Sequence, residues 1–398
     1  MVTVTEASAM VLANVSATEI RDVPIEDAVG RALAETVSAD RDLPPIDRVT
    51  MDGIALSFET WSGGKMSFEV EGIQAAGTPQ GTLRHADRCL EVMTGAALPA
   101  GADTVVPYEE LRLDGRKAEL TTNQIARGQN IHRRGSDAKA GTPLLQPGIV
   151  ISPAEVALLA TVGKDVVKVF EFPSTAILST GDELVPVSHH PAPHQVRRSN
   201  TYAILAAMKL LGWPATAFHL PDDREVITAQ LKNILAEHDT VVLSGGVSKG
   251  KFDFIPGALE ANGIVKQFHR VNQRPGKPFW FGTSPDGQKT VFALPGNPVS
   301  TYLCFFRYVR PWILRRQQIE EAPQYAVLAH DFDPPAGMTY FLQVAVRNEN
   351  GVSIAYPDAG GGSGDLANLK GVTGFLEITD SNGTVSKGQV FRYYPFRF

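Results

Sequence analysis

Cysteine is nearly absent: only Cys89 and Cys304 occur in 398 residues. They stand far apart and without metal-ligand spacing, which excludes a disulfide framework and argues against a zinc site. A basic surplus is also missing. Lys and Arg number 37 against 43 Asp and Glu, a net charge of −6, and general nucleic-acid binding calls for the opposite balance. An anionic small molecule stays admissible, because one site needs only a few local cations. No apolar run approaches the roughly eighteen residues that would span a bilayer. The opening MVTVTEASAMVLANVSATEI has no basic stretch leading into an apolar one, so no signal peptide is expected, and the reading is a soluble, reduced, cytoplasmic protein. Internal repeats and low-complexity tracts are lacking too. What remains is an ordinary globular balance, 43% hydrophobic and 20% charged, over a length that suggests about two to four domains.

The texture changes four times along the chain. Residues 1–45 read as a helix, a short extended piece (Thr18 to Val23) and a second helix around Ile25 to Glu35, halted by Asp42-Leu43-Pro44-Pro45. Residues 46–140 read as a small β domain of short strands such as Ser67 to Ile73 and Thr104 to Tyr108, with a hairpin at Asp114-Gly115. A helix over Ala154 to Thr161 and an extended run Val166 to Phe170 suggest that residues 141–172 return to the N-terminal segment as one discontinuous domain. Residues 173–318 alternate strands (Thr175 to Ser179, Ala215 to Leu220, Thr240 to Leu243, Thr290 to Leu294) with helices (Asn200 to Leu211, Arg224 to Glu237, Phe254 to Ala261). That alternation predicts an α/β domain with a parallel sheet covered on both faces, and ligands there bind beyond the carboxyl ends of the strands. Residues 319–398 return to short strands with glycine-rich links, a small β barrel or sandwich.

The chemistry-bearing strings sit at those strand ends. Ser244-Gly245-Gly246-Val247-Ser248 offers successive backbone N–H groups and a following helix, which suits an anion; plain loop geometry explains a GG turn equally. Arg270-Val271-Asn272-Gln273-Arg274-Pro275-Gly276-Lys277-Pro278 puts three cations on a proline-stiffened turn, either for oxyanion capture or as a solvated loop. Pro298 of Leu294-Pro295-Gly296-Asn297-Pro298 suits a first helical position. Glu183, Asp222 and Asp253 each follow a strand. Aspartates there commonly cap helices, and Asp222 with Glu225 fits a capping box; carboxylates beside an anion loop also hold Mg²⁺. In the β domain, the segments around Asp52, Thr94 and Asp137 are more specific than turns require.

Together these strings resemble the molybdopterin molybdenumtransferase family, which includes bacterial MoeA and the E domain of gephyrin. The resemblance runs through PP-x-D-x-x-x-MDG-x-A, MTGA-x-LPAGADTVV, NI-x-RRG-x-D, STGDEL, SGGVS-x-G, RPGKP and LPGNPVS, in order and over essentially the whole chain. It implies an elongated, four-domain chain whose central α/β domain is of the molybdopterin-binding type. It implies a homodimer with the active site between the α/β domain of one subunit and the β domain of the other. Asp52, Thr94 and Asp137 would then come from the partner. Glu183, Asp222, Asp253, Arg270, Arg274, Lys277, Pro295 and Pro298 would line the α/β side, with Ser244, Gly245, Gly246 and Ser248 holding substrate and Ser363 a further candidate. Glu183, Asp222 and Asp253 would be the metal ligands.

The implied reaction inserts molybdate into adenylylated molybdopterin with Mg²⁺-dependent release of AMP, downstream of a molybdopterin adenylyltransferase. Two other readings stand beside it. One is an adenylyltransferase acting one step earlier, which would leave the β-domain acids unused; the other is a non-catalytic scaffold, which the intact acids oppose. The chain departs from the family pattern at Arg270 and Arg274, where lysines are common, and at Ile54, Ser136 and Lys249. Ala367-Asn368-Leu369 lacks the serine pair often present there. A guanidinium grips oxyanions differently from an ammonium, so these differences bear on preference rather than on the acid set.

Overall fold

Runs of β-branched and aromatic residues form six strands, numbered here within their sheet: β1 Thr175–Thr180, β2 Thr216–Leu220, β3 Thr240–Ser244, β4 Val265–His269, β5 Trp280–Thr283 and β6 Thr290–Leu294. The computed structural model to which they belong describes residues 1–247, 254–379 and 383–397. The sheet order is β2-β1-β3-β6-β5-β4. Four strands are parallel, as expected, but β5 runs antiparallel to both neighbours. The cause is connection length: only a few residues join β5 to β6, too few for a parallel crossover. Strands β4 and β5 are additions to the sequence reading.

Side chains alternate across this sheet with a period of two. Ile177, Val242 and Phe292 face a core shared with Ile204, Met208 and Trp312. Ala176, Leu178, Val241 and Leu243 face Ile227, Leu231, Ile255 and Leu259. The helix Arg224–Glu237 therefore buries Ile227, Leu231, Ile234 and Leu235, while Val226, on the same predicted face, is exposed. After β6 the chain is helical from Pro298 to Arg316, with a wider turn over Phe305–Val309. Pro311 has no N–H to give to Arg307, and a π-type turn absorbs the missing bond.

Two compact units emerge, one of Met1–Ala34, Pro147–Ser152 and Val166–Phe398, the other of Glu35–Gln146 and Pro153–Asp165. In the first, the helix Val4–Ala13 opens with a capping box between Thr3 and Glu6 and buries Val4, Ala7 and Val11 in the α/β core. Ile20–Pro24 pairs antiparallel with Val166–Phe170. The helix expected around Ile25 to Glu35 is absent. A single turn, Ile25–Asp27, is followed by Gly30 at φ 81°, and Leu33 and Ala34 then give their N–H groups to Ile149 and Lys168. Bonding to neighbouring strands outcompetes helix propensity here.

The C-terminal strands close into a five-stranded barrel. Thr339–Glu349 pairs with both Val352–Pro357 and Gly374–Ile378, and the circle is completed through Gln324–Leu328 and Val390–Pro395. A sixth, two-residue strand, Gln273–Arg274, pairs parallel with Thr339–Tyr340 and ties the cationic loop to the barrel. The second unit is built on the sheet Thr104–Pro107, Gly53–Leu56, Cys89–Val92, Ser67–Gln74, Lys117–Leu120 and Leu111–Asp114, in that spatial order. Its last two strands form the hairpin expected at Asp114-Gly115. No helix among the described residues is long and apolar enough to cross a membrane.

Candidate functional site

A cleft of about 570 Å³ opens beyond the carboxyl ends of β1, β2, β3 and β6, and every residue lining it belongs to the first unit. Four loops supply it: Thr180, Gly181 and Glu183 after β1; Asp222 after β2; Gly245, Gly246 and Val247 after β3; and Pro295, Gly296, Asn297 and Ser300 after β6. The loop from Gln273 to Pro278, with Met338 and Ser363 from the barrel, forms the opposite wall.

The diglycine turn is dictated by space. Gly246 has φ 68°, and a Cβ there would sit 2.7 Å from Ile255 Cγ1 and 3.0 Å from Thr180 Oγ1. A side chain would be strained by conformation and by contact alike. Ser244 is buried and faces away from the cleft. Its hydroxyl accepts from Asn200 Nδ2 at 2.8 Å, and the same amide donates to the Gly296 carbonyl at 2.7 Å. Asn200 thus joins the diglycine turn to the Pro295–Asn297 turn. His269 Nε2 lies 2.9 Å from the Val247 carbonyl and holds the far side.

Gln273, 1% exposed, shapes the cationic turn from beneath. Its amide nitrogen reaches the carbonyls of Pro275 (3.2 Å) and Gly276 (3.4 Å), and its oxygen accepts from the Tyr308 hydroxyl. Gly276 packs directly on this amide; a Cβ there would meet Gln273 Nε2 at 2.6 Å and Cys304 Sγ at 2.8 Å. Arg274 and Lys277 project from the turn, exposed and without a carboxylate partner among the described residues. Arg270 stands at the loop's root, where its backbone bonds Val2 and Phe279, and is not among the lining residues.

On the β6 side, Asn297 Nδ2 donates to Ser363 Oγ at 2.8 Å and Val299 N–H donates to the Ser363 carbonyl at 3.1 Å. The glycine-rich barrel loop is thereby fixed to the helix start, where Pro298 occupies the first helical position. Pro295 lines the cleft and Pro298 does not.

The acids divide by role. Asp223, not Asp222, caps the helix Arg224–Glu237, accepting from the N–H groups of Glu225 and Val226 at 2.9 Å each. The cap expected at Asp222 is therefore shifted by one residue, which puts Val226 rather than Glu225 at the third helical position so that no capping box forms, and the Asp222 carboxylate is left to face the cleft. Asp222 N–H donates to Asp182 Oδ1 at 3.1 Å, and Asp182 N–H to Asp222 Oδ2 at 3.4 Å. Glu183 joins Asp222 in the lining. Ser248 and Asp253 lie outside the described residues. Among those described, no three His, Cys, Asp or Glu side chains form a metal-ligating group.

Asp52, Thr94 and Asp137 belong to the second unit. Thr94 N–H donates to Asp52 Oδ1 at 2.6 Å; that bond, followed by the Thr94 hydroxyl, holds the Asp52 carboxyl below its usual range. Asp137 Oδ1 lies 2.6 Å from His132 Nε2, whose Nδ1 is 3.2 Å from Arg48. Sequence reading missed Asn200, Gln273 and Thr301, whose hydroxyl accepts from Asn200 Nδ2 at 3.1 Å and donates to the Pro295 carbonyl; all three brace the cleft from behind. Asn200 reads only as the start of a helix, and it lies in the first turn of Ser199–Leu210; Gln273 is hidden among cations.

Three successive parts of the chain match models of known families. A model of the MoeA N-terminal region (domain I and II) matches residues 2–163, one of a probable molybdopterin binding domain matches 176–315, and one of the MoeA C-terminal region (domain IV) matches 325–396. The molybdopterin molybdenumtransferase of Synechocystis sp. is 37% identical over 375 residues, covering 94% of each chain. That of Bacillus subtilis is 31% identical over 387 residues, 94% of this chain and 89% of its own. The solved structure of the molybdopterin biosynthesis MoeA protein from Pyrococcus horikoshii superposes with a TM-score of 0.85 at 26% identity, with 100% of both chains covered.

Proposed function

The chain belongs to the MoeA family of molybdopterin molybdenumtransferases, enzymes of molybdenum cofactor biosynthesis, and on that premise we propose that its cleft inserts molybdate into adenylylated molybdopterin with release of AMP. One observation carries the reading: two carboxylates, Glu183 and Asp222, share a cleft of about 570 Å³ with the diglycine turn, Arg274 and Lys277. A pyrophosphate substrate needs cations and N–H donors on its oxygens; Arg274, Lys277 and the Gly246 N–H supply both, while the Gly245 N–H is held by the Leu294 carbonyl at 3.2 Å.

Mg²⁺ suits the remaining wall. It takes hard oxygen donors, one or two carboxylates completed by water and phosphate, and Glu183 and Asp222 are two such donors lacking cationic partners among the described residues. These two would hold the ion, with Asp253 as a third ligand in this reading. Bound there, Mg²⁺ supplies charge neutralisation at the pyrophosphate. The protein's own part is positioning. Arg274 and Lys277 fix the phosphates, and Ser363, held by Asn297, closes the barrel side. Opening the phosphoanhydride consumes one water. The two thiols of molybdopterin displace one oxide of molybdate, which leaves as water.

Asp52, Thr94 and Asp137 enter from a second copy in a homodimer, and a molybdopterin adenylyltransferase supplies the substrate in the cytoplasm. The test is AMP release by the purified protein given adenylylated molybdopterin and Mg²⁺, with and without molybdate. Release is expected to depend on molybdate. Absence of release, or indifference to molybdate, defeats the reading.

A further inference from the structure

The strand that delivers Asp222, β2, is one of the two edge strands of the sheet, so the ladder grips it on one side only. Of its five residues only Leu220 is buried, so apolar packing contributes little to its position. Its carboxyl end is instead tied to β1 by polar side chains in step with the backbone register. Ser179 stands opposite His219, and His219 Nδ1 lies 3.0 Å from the Ser179 hydroxyl, which is 2% exposed at the residue level. Three residues further along each strand comes the reciprocal pair in which Asp182 and Asp222 exchange N–H···carboxylate bonds. Arg198, Asp182 and Asp222 are the charged groups that act on the imidazole.

We propose that His219 is a positioning residue: through Ser179 it clamps the end of the edge strand, so that Asp222 stands beside Glu183 as an ion ligand in the cleft. The proposal deepens the Mg²⁺ reading above and rests on it. His219 touches no substrate; it acts on Asp222 through the strand end. Outer groups that orient a ligand are worth about 10–100-fold in metal affinity, and a loss at the lower end of that range is expected here.

Mn²⁺ binding to the full chain, read by electron paramagnetic resonance without substrate, tests this directly. His219→Phe keeps the ring volume and removes the hydrogen bond; His219→Asn restores a polar atom near the Nδ1 position. The expected result is about a tenfold weaker Mn²⁺ affinity for the phenylalanine variant, near-recovery for asparagine, and loss of binding in Asp222→Asn. Ser179→Ala, which cuts the same bond from the other side, is expected to match the phenylalanine variant and keeps the test standing should that variant not fold. If His219→Phe and Ser179→Ala bind Mn²⁺ like the natural chain, the positioning role alone is overturned. It is equally overturned if asparagine and phenylalanine weaken binding alike, since packing is then the cause. A natural chain that binds no Mn²⁺, or whose binding survives Asp222→Asn, overturns the ion reading and the proposal together.

Discussion

Asp222 and Asp223 are adjacent carboxylates given different work by one step of backbone. Asp223 satisfies two N–H groups at a helix start, and removing such a cap costs about 1 kcal/mol. Asp223→Ala is therefore expected to lower unfolding free energy in urea by about that amount while AMP release stays near the natural rate. Asp222→Asn should do the reverse, leaving the urea midpoint nearly unchanged and abolishing Mg²⁺-dependent turnover. Equal effects of the two substitutions on activity would contradict this division. The sequence showed acids after successive strands but misplaced the cap by one residue, because the Asp222–Glu225 spacing satisfies the capping-box pattern. Which of two neighbours caps depends on where the preceding strand releases the chain, and that is set by pairing across the sheet.

Elements distant in the chain meet in the helix that follows β6 and in the barrel. Arg307, in the widened turn, donates from Nε to Glu377 Oε2 at 3.1 Å, with side-chain exposures of 9% and 10%. The Tyr394 hydroxyl donates to the same carboxylate at 2.6 Å, and Arg307 also stacks over the Tyr308 and Tyr394 rings. Glu377→Ala leaves a buried guanidinium uncompensated, a loss of about 3 kcal/mol or more. Calorimetry should show a markedly lower thermal midpoint; a change of only a degree or two would mean that solvent reaches the pair. The same scale shows where periodicity misleads. Residues 25–35 carry apolar spacing compatible with a helix, yet Gly30 and pairing to residues 149 and 168 draw them into extended structure. Strand β4, Val265-Lys266-Gln267-Phe268-His269, buries only Phe268 and so lacks the apolar run that marked β1, β3 and β6.

At the scale of the whole molecule, the parallel core of the α/β sheet and the hairpin of the second unit were legible, because strand–helix alternation and a tight Asp-Gly turn are local patterns. The C-terminal strands read as a barrel or a sandwich, and closure rests on pairing Gln324–Leu328 with Val390–Pro395, far apart in the chain. The bracing residues Asn200, Gln273 and Ser179 were not legible, since their value lies in contacts across tens of residues of sequence. If Asp52 and Asp222 act in one cleft but arrive from different subunits of a symmetric dimer, Asp52→Ala and Asp222→Asn homodimers should both be inactive. In their heterodimer one cleft receives both intact residues and the other receives neither. Half of the dimers in an equimolar, fully exchanged mixture are heterodimers, each with one working cleft. The mixture should therefore recover about a quarter of the natural AMP-release rate. A mixture as silent as its components after demonstrated subunit exchange would place both residues in the cleft of a single chain, or Asp52 outside the site altogether.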